Sequence, residues 1–371
     1  MRFYEFFAGG GMARLGLGPQ WKCLFANDNC EKKASAYRAN FGASELFVGD
    51  IARVSPSMLP SGASLAWGSF PCQDLSLAGN YSGLAGKRSG VFWEFWRIIR
   101  SLDAENRTVP ILAIENVVGL LTSKKGEDFK VLISVIADAG YQVGAMVIDA
   151  SLFLPQSRPR LFIVGVKGIP IPQRIIRTTP NPLQHTRTMV SGVKAFSESV
   201  RKSWVWFDLP SPDEEIPGLS ELIDSDPAGV KRHTEAETNR LLKMMSDVNL
   251  EKIRLAQQSG RRMTGALYKR TRRQDGVSIQ RAEVRFDISG CLRTPCGGSS
   301  RQIILVVEGK KISSRLLAPR EAARLMGVND DYILPDRYNE AYRLMGDGLA
   351  VPVVRHLAAH ILAPIIHEGH Q

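Results

Sequence analysis

Arg2-Phe3-Tyr4-Glu5-Phe6-Phe7-Ala8-Gly9-Gly10-Gly11 opens the chain, and its reading decides the fold. The apolar run over 2–7 predicts a strand, and the three glycines end it. Glycines between a strand and a helix let the backbone approach a ligand closely and adopt positive φ. The helix N-terminus that follows offers free N–H groups to a carboxylate. Phe7 could stack there on a flat base. A tight strand-to-helix turn explains three glycines equally well, and the G-x-G-x-x-G dinucleotide spacing is not cleanly met.

Outward from that turn, the pattern alternates. Strands are predicted over 22–27, 46–48, 64–67, 111–114 and 161–166, and helices over 30–40, 91–102 and 127–139. The second helix carries Phe92, Phe95, Trp96 and Ile99 at helical spacing. Alternating strands and helices imply an α/β fold, its sheet mostly parallel and flanked by helices. Near Gly168 the character changes, and Pro170, Pro172, Pro180, Pro182, Pro210, Pro212 and Pro217 break the pattern. Two further helices are expected over 319–326 and 351–362. The division expected is a first domain over 1–166, a mostly β or irregular insert over 167–314, and late helices over 315–371 that return to the first domain.

The 371 residues are 44% hydrophobic and 23% charged, as in an ordinary globular protein. No apolar run of membrane-spanning length and no signal peptide is read, so a cytoplasmic protein without a membrane partner is expected. With Met1 so close to the glycine turn, no large N-terminal regulatory domain is expected. Five cysteines are too few for a disulfide framework. Cys291 and Cys296 form no C-x-x-C pair and no His cluster completes a site, so no metal is assigned. The net charge of +11 points to a polyanion or simply to a basic protein. Residues 251–285 carry ten Lys or Arg against three acids. Such a run is either a solvated face or a surface that tracks phosphates.

Asp28 and Asp50 follow predicted strands, where ligands of open α/β sheets bind. Asp28 suits ribose hydroxyls and Asp50 an adenine amine, although a capping role explains either one alone. After the fourth strand comes Gly68-Ser69-Phe70-Pro71-Cys72-Gln73-Asp74-Leu75-Ser76, then a stretch with Gly79, Gly83, Gly86 and Gly90. The fifth strand ends in Glu115-Asn116-Val117, and Pro155-Gln156-Ser157-Arg158-Pro159-Arg160 lies further on. Together with Gly49-Asp50-Ile51 and Arg320-Glu321-Ala322-Ala323-Arg324-Leu325-Met326-Gly327, these motifs resemble, in order, the cytosine-C5 DNA methyltransferase family. The resemblance covers about residues 2–166 and 315–365.

That resemblance implies a Rossmann-like fold that binds S-adenosylmethionine (SAM), with a smaller target-recognition domain inserted. It implies cofactor contacts at Phe7, Ala8, Gly9, Gly11, Asp28, Asp50, Ile51 and Pro71. It makes Cys72 the nucleophile and Glu115 the acid at N3 of cytosine, with Arg158 and Arg160 the paired arginines. The chemistry needs these types. Carbon 5 of cytosine is too poor a nucleophile until a thiolate adds at carbon 6, and a carboxyl near N3 stabilises the charge that develops. Arg158 is a candidate to favour the thiolate. A stacked base is out of reach, so the cytosine must be flipped out. The stretch 77–90 is then a candidate lid, or a plain solvent loop.

Expected DNA contacts are Gln73, Ser76, Lys87, Arg88, Gln156, Arg272, Arg273, Arg293, Arg301 and Gln302. Two residues depart from the family pattern: Asp28 stands for a glutamate, and Leu349 for the asparagine of a Gly-Asn-x-Val segment, with Asp347 a candidate for its polar role. The partner expected is double-stranded DNA, with a cognate restriction endonuclease as a further candidate, and the enzyme is expected to act as a monomer near the nucleoid. A dead scaffold that only binds DNA and a transfer-RNA cytosine methyltransferase are the alternatives. The sizeable basic insert argues for duplex DNA over RNA.

Overall fold

The computed structural model describes residues 1–70, 90–213, 215–274, 277–292 and 301–369, and the side chains of residues 272–277 are not described. The chain divides into two compact units. The first comprises Met1–Asp149, Pro159–Pro212 and Val351–Gln371, the second Ala150–Arg158 and Asp213–Ala350.

The first unit is built on β1 (Arg2–Phe6), β2 (Lys22–Asp28), β3 (Leu46–Val48), β4 (Leu65–Gly68), β5 (Ile111–Val117), β6 (Gln142–Asp149) and β7 (Pro159–Val166). Their order in the sheet is β3-β2-β1-β4-β5-β7-β6. The first five strands in that order run parallel, and β7 runs antiparallel to both β5 and β6. This is the mostly parallel sheet expected. Ile111, Leu112, Ala113 and Ile114 are all buried, as a central strand covered on both faces requires. The strand β6 was not anticipated from its sequence. Gly144 weakens its strand signal, yet a Cβ there would lie 2.1 Å from the Val205 carbonyl oxygen. Only glycine lets the two backbones approach so closely.

Helices α1 (Met12–Leu17), α2 (Glu31–Phe41), α3 (Val91–Ala104) and α4 (Glu127–Asp138) connect the strands. The α3 face that was legible as a stripe buries Phe92, Trp93, Phe95, Trp96, Ile98, Ile99 and Leu102. Phe95 meets Phe6 of β1 at 5.3 Å between ring centroids. Each such side chain contributes about 1.5–3 kcal/mol on burial. The unit also keeps a short strand pair, β8 (Ile176–Arg177) with β9 (Trp206–Phe207), and α5 (Arg187–Lys194) and α6 (Glu198–Lys202). These residues were expected in the insert. They stay because Phe196 and Trp204 pack on Phe129 of α4, at 5.8 and 6.3 Å.

In the second unit, α7 (Glu235–Lys243) and α8 (Asp247–Gln258) precede β10 (Arg262–Gln274), β11 (Val277–Arg285), β12 (Ile303–Glu308) and β13 (Lys311–Leu316). These strands form an antiparallel sheet in the order β11-β10-β12-β13. Leu241, Met245, Ile253 and Ala256 of the helical segment pack with Leu267, Ala282, Val284, Ile303, Leu305 and Val307 of the sheet. Helices α9 (Pro319–Arg324) and α10 (Tyr338–Asp347) also belong to this unit, although their residues were expected in the first domain. A buried ion pair ties α9 in. The two terminal guanidinium nitrogens of Arg315 reach the Glu321 carboxylate, at 2.8 and 2.6 Å, and that carboxylate also accepts from the Ala318 and Asp224 N–H groups.

The chain re-enters the first unit as α11 (Val351–Leu357) and α12 (Ala363–Glu368). A Cβ on Gly16 of α1 would lie 2.4 Å from Val354 of α11, so this helix pair too depends on a glycine. One expectation needs correcting here. Taken together, Tyr338–Glu368 is apolar and long enough to cross a membrane, with 72% of its most apolar window buried. Its helices are interrupted at 348–350, and that burial gives its apolar residues a place in the protein core.

Two predictions follow from buried charge. Glu321→Ala leaves Arg315 buried without its carboxylate and should cost about 3–5 kcal/mol. Denaturant unfolding would read this as a lower midpoint, and an unchanged midpoint would refute it. Glu5, near the C-terminal end of β1, is 1% exposed and its Oε2 has no partner. Burial pushes its carboxyl up to about 8, against opposing contributions from the Arg14 N–H and charge. The folded carboxyl therefore holds a proton that the unfolded chain has lost. The stability it contributes is full below the ordinary carboxylate range and is lost as pH rises towards about 8. Glu5→Gln should be more stable than wild type at pH 8, and the gap should close by about pH 4.5. Unfolding midpoints across that range would show it, and a gap independent of pH would refute the assignment.

Candidate active site

The turn after β1 has left-handed backbone at Phe7 (φ 60°), Gly9 (φ 56°) and Gly11 (φ 78°). Phe7 pays strain for this conformation, which an ordinary residue adopts rarely. A Cβ at Gly11 would strike the Phe41 ring at 2.4 Å, whereas one at Gly9 would meet nothing within 4 Å. The turn is thus packed on one side and open on the other. Asp28 closes β2 and is buried. Its two oxygens accept from the Gly9 and Cys30 N–H groups, each at 2.8 Å, so the carboxylate fixes the turn to the neighbouring strand end. Asp50 is exposed and caps the turn after β3, accepting from Ala52 N–H at 2.9 Å. Ile51 beside it is buried, and Ala8 donates its N–H to the Asn27 carbonyl at 2.8 Å. A strained turn with an open flank, an aromatic ring and acids at two strand ends fit SAM.

The next strand end along the sheet is that of β4. Phe70 lies buried beyond it, its ring 6.3 Å from Phe7 and 5.4 Å from Phe92. Asn116 of β5 donates from Nδ2 to the Phe70 carbonyl at 3.1 Å, and its Oδ1 accepts from Val117 N–H. Asn116 is buried and pins Phe70, the last described residue after β4, to β5. Sequence reasoning treated it only as part of a motif. A polar residue following Ile111-Leu112-Ala113-Ile114 in a buried strand was the available signal. Pro71, Cys72, Gln73, Ser76, Lys87, Arg88 and Arg293 lie outside the described residues, as do the side chains of Arg272 and Arg273.

Glu115 and Arg160 meet. In the antiparallel ladder Glu115 stands opposite Phe162 and Val117 opposite Arg160. Arg160 is thus the diagonal neighbour of Glu115 on one face. Its Nε lies 3.2 Å from the carboxylate, and the two side chains are 17% and 12% exposed. Arg158 points to other partners. It is buried in the second unit, donating to the Leu292, Gly346 and Gly348 carbonyls at 3.2, 2.9 and 2.6 Å and to Cys291 Sγ at 3.2 Å. Its grip on Gly348 occupies the segment where Leu349 departs from the family pattern. Asp347 there lies 3.8 Å from Arg343.

Two expected DNA contacts are corrected. Gln156 is fully buried, its amide shared among the Leu325 carbonyl, Met326 Sδ and Leu292 N–H. Gln302 is buried, donating to the Leu267 and Ile303 carbonyls. Gln156 therefore has no polar atom left to offer a base, and Gln302 has its amide nitrogen committed inside the fold. Arg301 is partly exposed and hydrogen-bonds Asn339 while lying 5.4 Å over the Tyr338 ring.

The comparisons agree with this geometry. The family model for C-5 cytosine-specific DNA methylases matches residues 1–363. Among relatives, the Type II methyltransferase M.BanI of Aneurinibacillus aneurinilyticus is 25% identical, aligned over 99% of this chain and 97% of its own. The Type II methyltransferase M1.ScrFI of Lactococcus lactis subsp. cremoris is 28% identical over 97% of this chain and 78% of its own. Of solved structures, the Dnmt2 methyltransferase of S. pombe shares the fold at a TM-score of 0.60, with 16% identity over 98% of this chain and 99% of that one. The chain belongs to the C-5 cytosine-specific DNA methylase family, enzymes that take their methyl group from SAM.

Proposed function

We propose that this enzyme methylates carbon 5 of a flipped cytosine in a specific duplex sequence, through a covalent adduct of Cys72. The observation that carries the reading is the pairing of Glu115 with Arg160 at the end of β5, beside the strand that leads through Phe70 to Cys72. Phe7, the glycine turn, Asp28 and Asp50 would hold SAM, which supplies an electrophilic methyl group when bound.

The Cys72 thiolate adds to carbon 6, forming the S–C bond and pushing an electron pair toward carbon 5. Glu115 hydrogen-bonds N3 and stabilises the charge that the addition places on the ring. Arg160 holds the Glu115 carboxyl in one orientation, as a charge-assisted contact does. Once carbon 5 carries the methyl group, a base takes its proton. The electron pair left behind expels the thiolate, which restores the enzyme. A bound water is a suitable base. Asn116 fixes the backbone from which Cys72 departs. Arg158 acts at a distance by bracing the 346–348 backbone. The Type II relatives support a setting beside a restriction endonuclease of the same specificity.

Transfer of radiolabelled methyl from SAM to mixed-sequence duplex DNA, with nucleoside analysis, tests the proposal. Wild type should yield 5-methylcytosine. Cys72→Ala should yield none while still binding SAM and DNA, and any turnover in that variant would end the adduct mechanism. Glu115→Gln should lower kcat by about 100-fold or more with little change in DNA affinity. Equal losses in both would remove Glu115 from the chemistry.

A further inference from the structure

Two of the chain's six histidines, His356 and His360, stand four residues apart in the stretch that re-enters the first unit. In a regular α-helix such positions share one face but are offset by about 40° around the axis. Here the helix widens. Pro364 has no N–H for the carbonyl of residue 360, and its ring crowds that carbonyl. Residues Ala358–Leu362 accordingly form a π turn between α11 and α12. A π turn holds more residues than an α turn, which removes much of the offset and brings position 360 nearly in line with 356. The two imidazole rings lie 4.3 Å apart between centroids, tilted by 49°. His356 is half-buried and His360 exposed, so the pair faces solvent.

His356 is also oriented. Its Nε2 lies 2.7 Å from the Pro210 carbonyl oxygen. That oxygen can only accept, so Nε2 carries the proton and Nδ1 the lone pair of the neutral ring. Metal-binding histidines are commonly held in this way, one ring nitrogen donating to a carbonyl while the other ligates. Ring spacing then selects among ions. Two imidazoles bound to one ion at about 2.0–2.1 Å and at a right angle have centroids about 4.5 Å apart, whereas the tetrahedral angle puts them about 5.2 Å apart. The observed 4.3 Å matches the right angle of tetragonal Cu(II) and Ni(II), not the tetrahedral angle of Zn(II). No third His, Cys, Asp or Glu joins the pair among the described residues, so water fills the remaining positions.

The geometry points to a bidentate site at His356 and His360 for one divalent cation of tetragonal preference, Cu(II) or Ni(II). None of the residues assigned to SAM, cytosine or DNA takes part, so the site is separate from methyl transfer. Its effect is on the fold. Pro210 ends the stretch that leaves the first unit, and α11 begins the stretch that returns to it. Ligation at Nδ1 makes Nε2–H a stronger donor to the Pro210 carbonyl, which tightens the tie between the two stretches. An ion that binds only the folded chain also raises its stability by mass action.

The test uses the full chain without an affinity tag, stripped of metal and titrated by calorimetry with Cu2+, Ni2+ or Zn2+. One Cu(II) per chain should bind and raise the thermal midpoint. His356→Asn and His360→Asn should each weaken it by about tenfold or more, and His367→Asn should not. His360 is exposed, so His360→Asn should melt as wild type does in the absence of metal. Because Cu(II) outcompetes Zn(II) at most sites, the spectrum and not the affinity tests the geometry. Electron paramagnetic resonance of the Cu(II) form should be axial with coupling from two imidazole nitrogens, and each His→Asn variant should lose one. Equal Cu(II) binding by wild type and by the double variant His356→Asn, His360→Asn would overturn the site. A wild-type spectrum without imidazole coupling, or a loss at His367→Asn as large as at His360→Asn, would overturn it as well.

Discussion

Parallel pairing of β1, β4 and β5 is the constraint from which the site follows. Phe6, Gly68 and Ile114 lie in adjoining register, so the segments after these strands all leave the sheet at one edge. A glycine turn, the Phe70 segment and a glutamate separated by scores of residues in sequence are thereby neighbours in space. Antiparallel β7 completes the arrangement. Coming back against β5, it starts at the edge where β5 ends and lays Arg160 diagonally beside Glu115. The site is a property of strand order, and each side chain adds its chemistry at a place already fixed.

Polar groups buried around that edge hold it rigid. Asp28 spends both oxygens on backbone N–H groups, one in the glycine turn and one beyond its own strand. Asn116 uses its amide to tie β5 to Phe70. These bonds act in a dry setting where an unmade partner would be expensive, so they enforce one conformation. The shorter Asp28, in place of the family's glutamate, has a physical consequence here. A side chain of this length spans from its own strand end to the Gly9 N–H at 2.8 Å.

Legibility in the sequence tracked the kind of signal. Strands β1 to β5 were readable because their apolar runs stop at glycine or acid, and α3 because its aromatics recur at helical spacing. Strand β6 escaped because a backbone contact had demanded Gly144, which erases the pattern. In the second unit, α7 carried a legible start that was not used: Thr234 and Glu237 form a capping box, with Thr234 Oγ1 accepting from Glu237 N–H at 3.2 Å. The residues at 187–212 were assigned to the insert from their prolines, but prolines report broken periodicity and not the partner a segment packs on. Motif spacing singled out Glu115 and the paired arginines only as a group. Which arginine meets the glutamate depends on strand register, and no one-dimensional pattern contains that.

The paired arginines show how much two positions one residue apart can differ. Both fall in one short motif, yet Pro159 separates them and the compact units divide between them. Arg160 lies on β7, where alternation turns it toward Glu115. Arg158 precedes the strand and is free of that alternation, so its guanidinium serves three carbonyl oxygens and a sulfur in the second unit. That task needs several donors in a fixed planar fork, which a lysine ammonium on a flexible stem cannot reproduce. Arg160 needs one well-aimed cation beside one carboxylate. The same residue type therefore meets two separate demands, one to brace the backbone at 346–348 and one to pair with the Glu115 carboxylate.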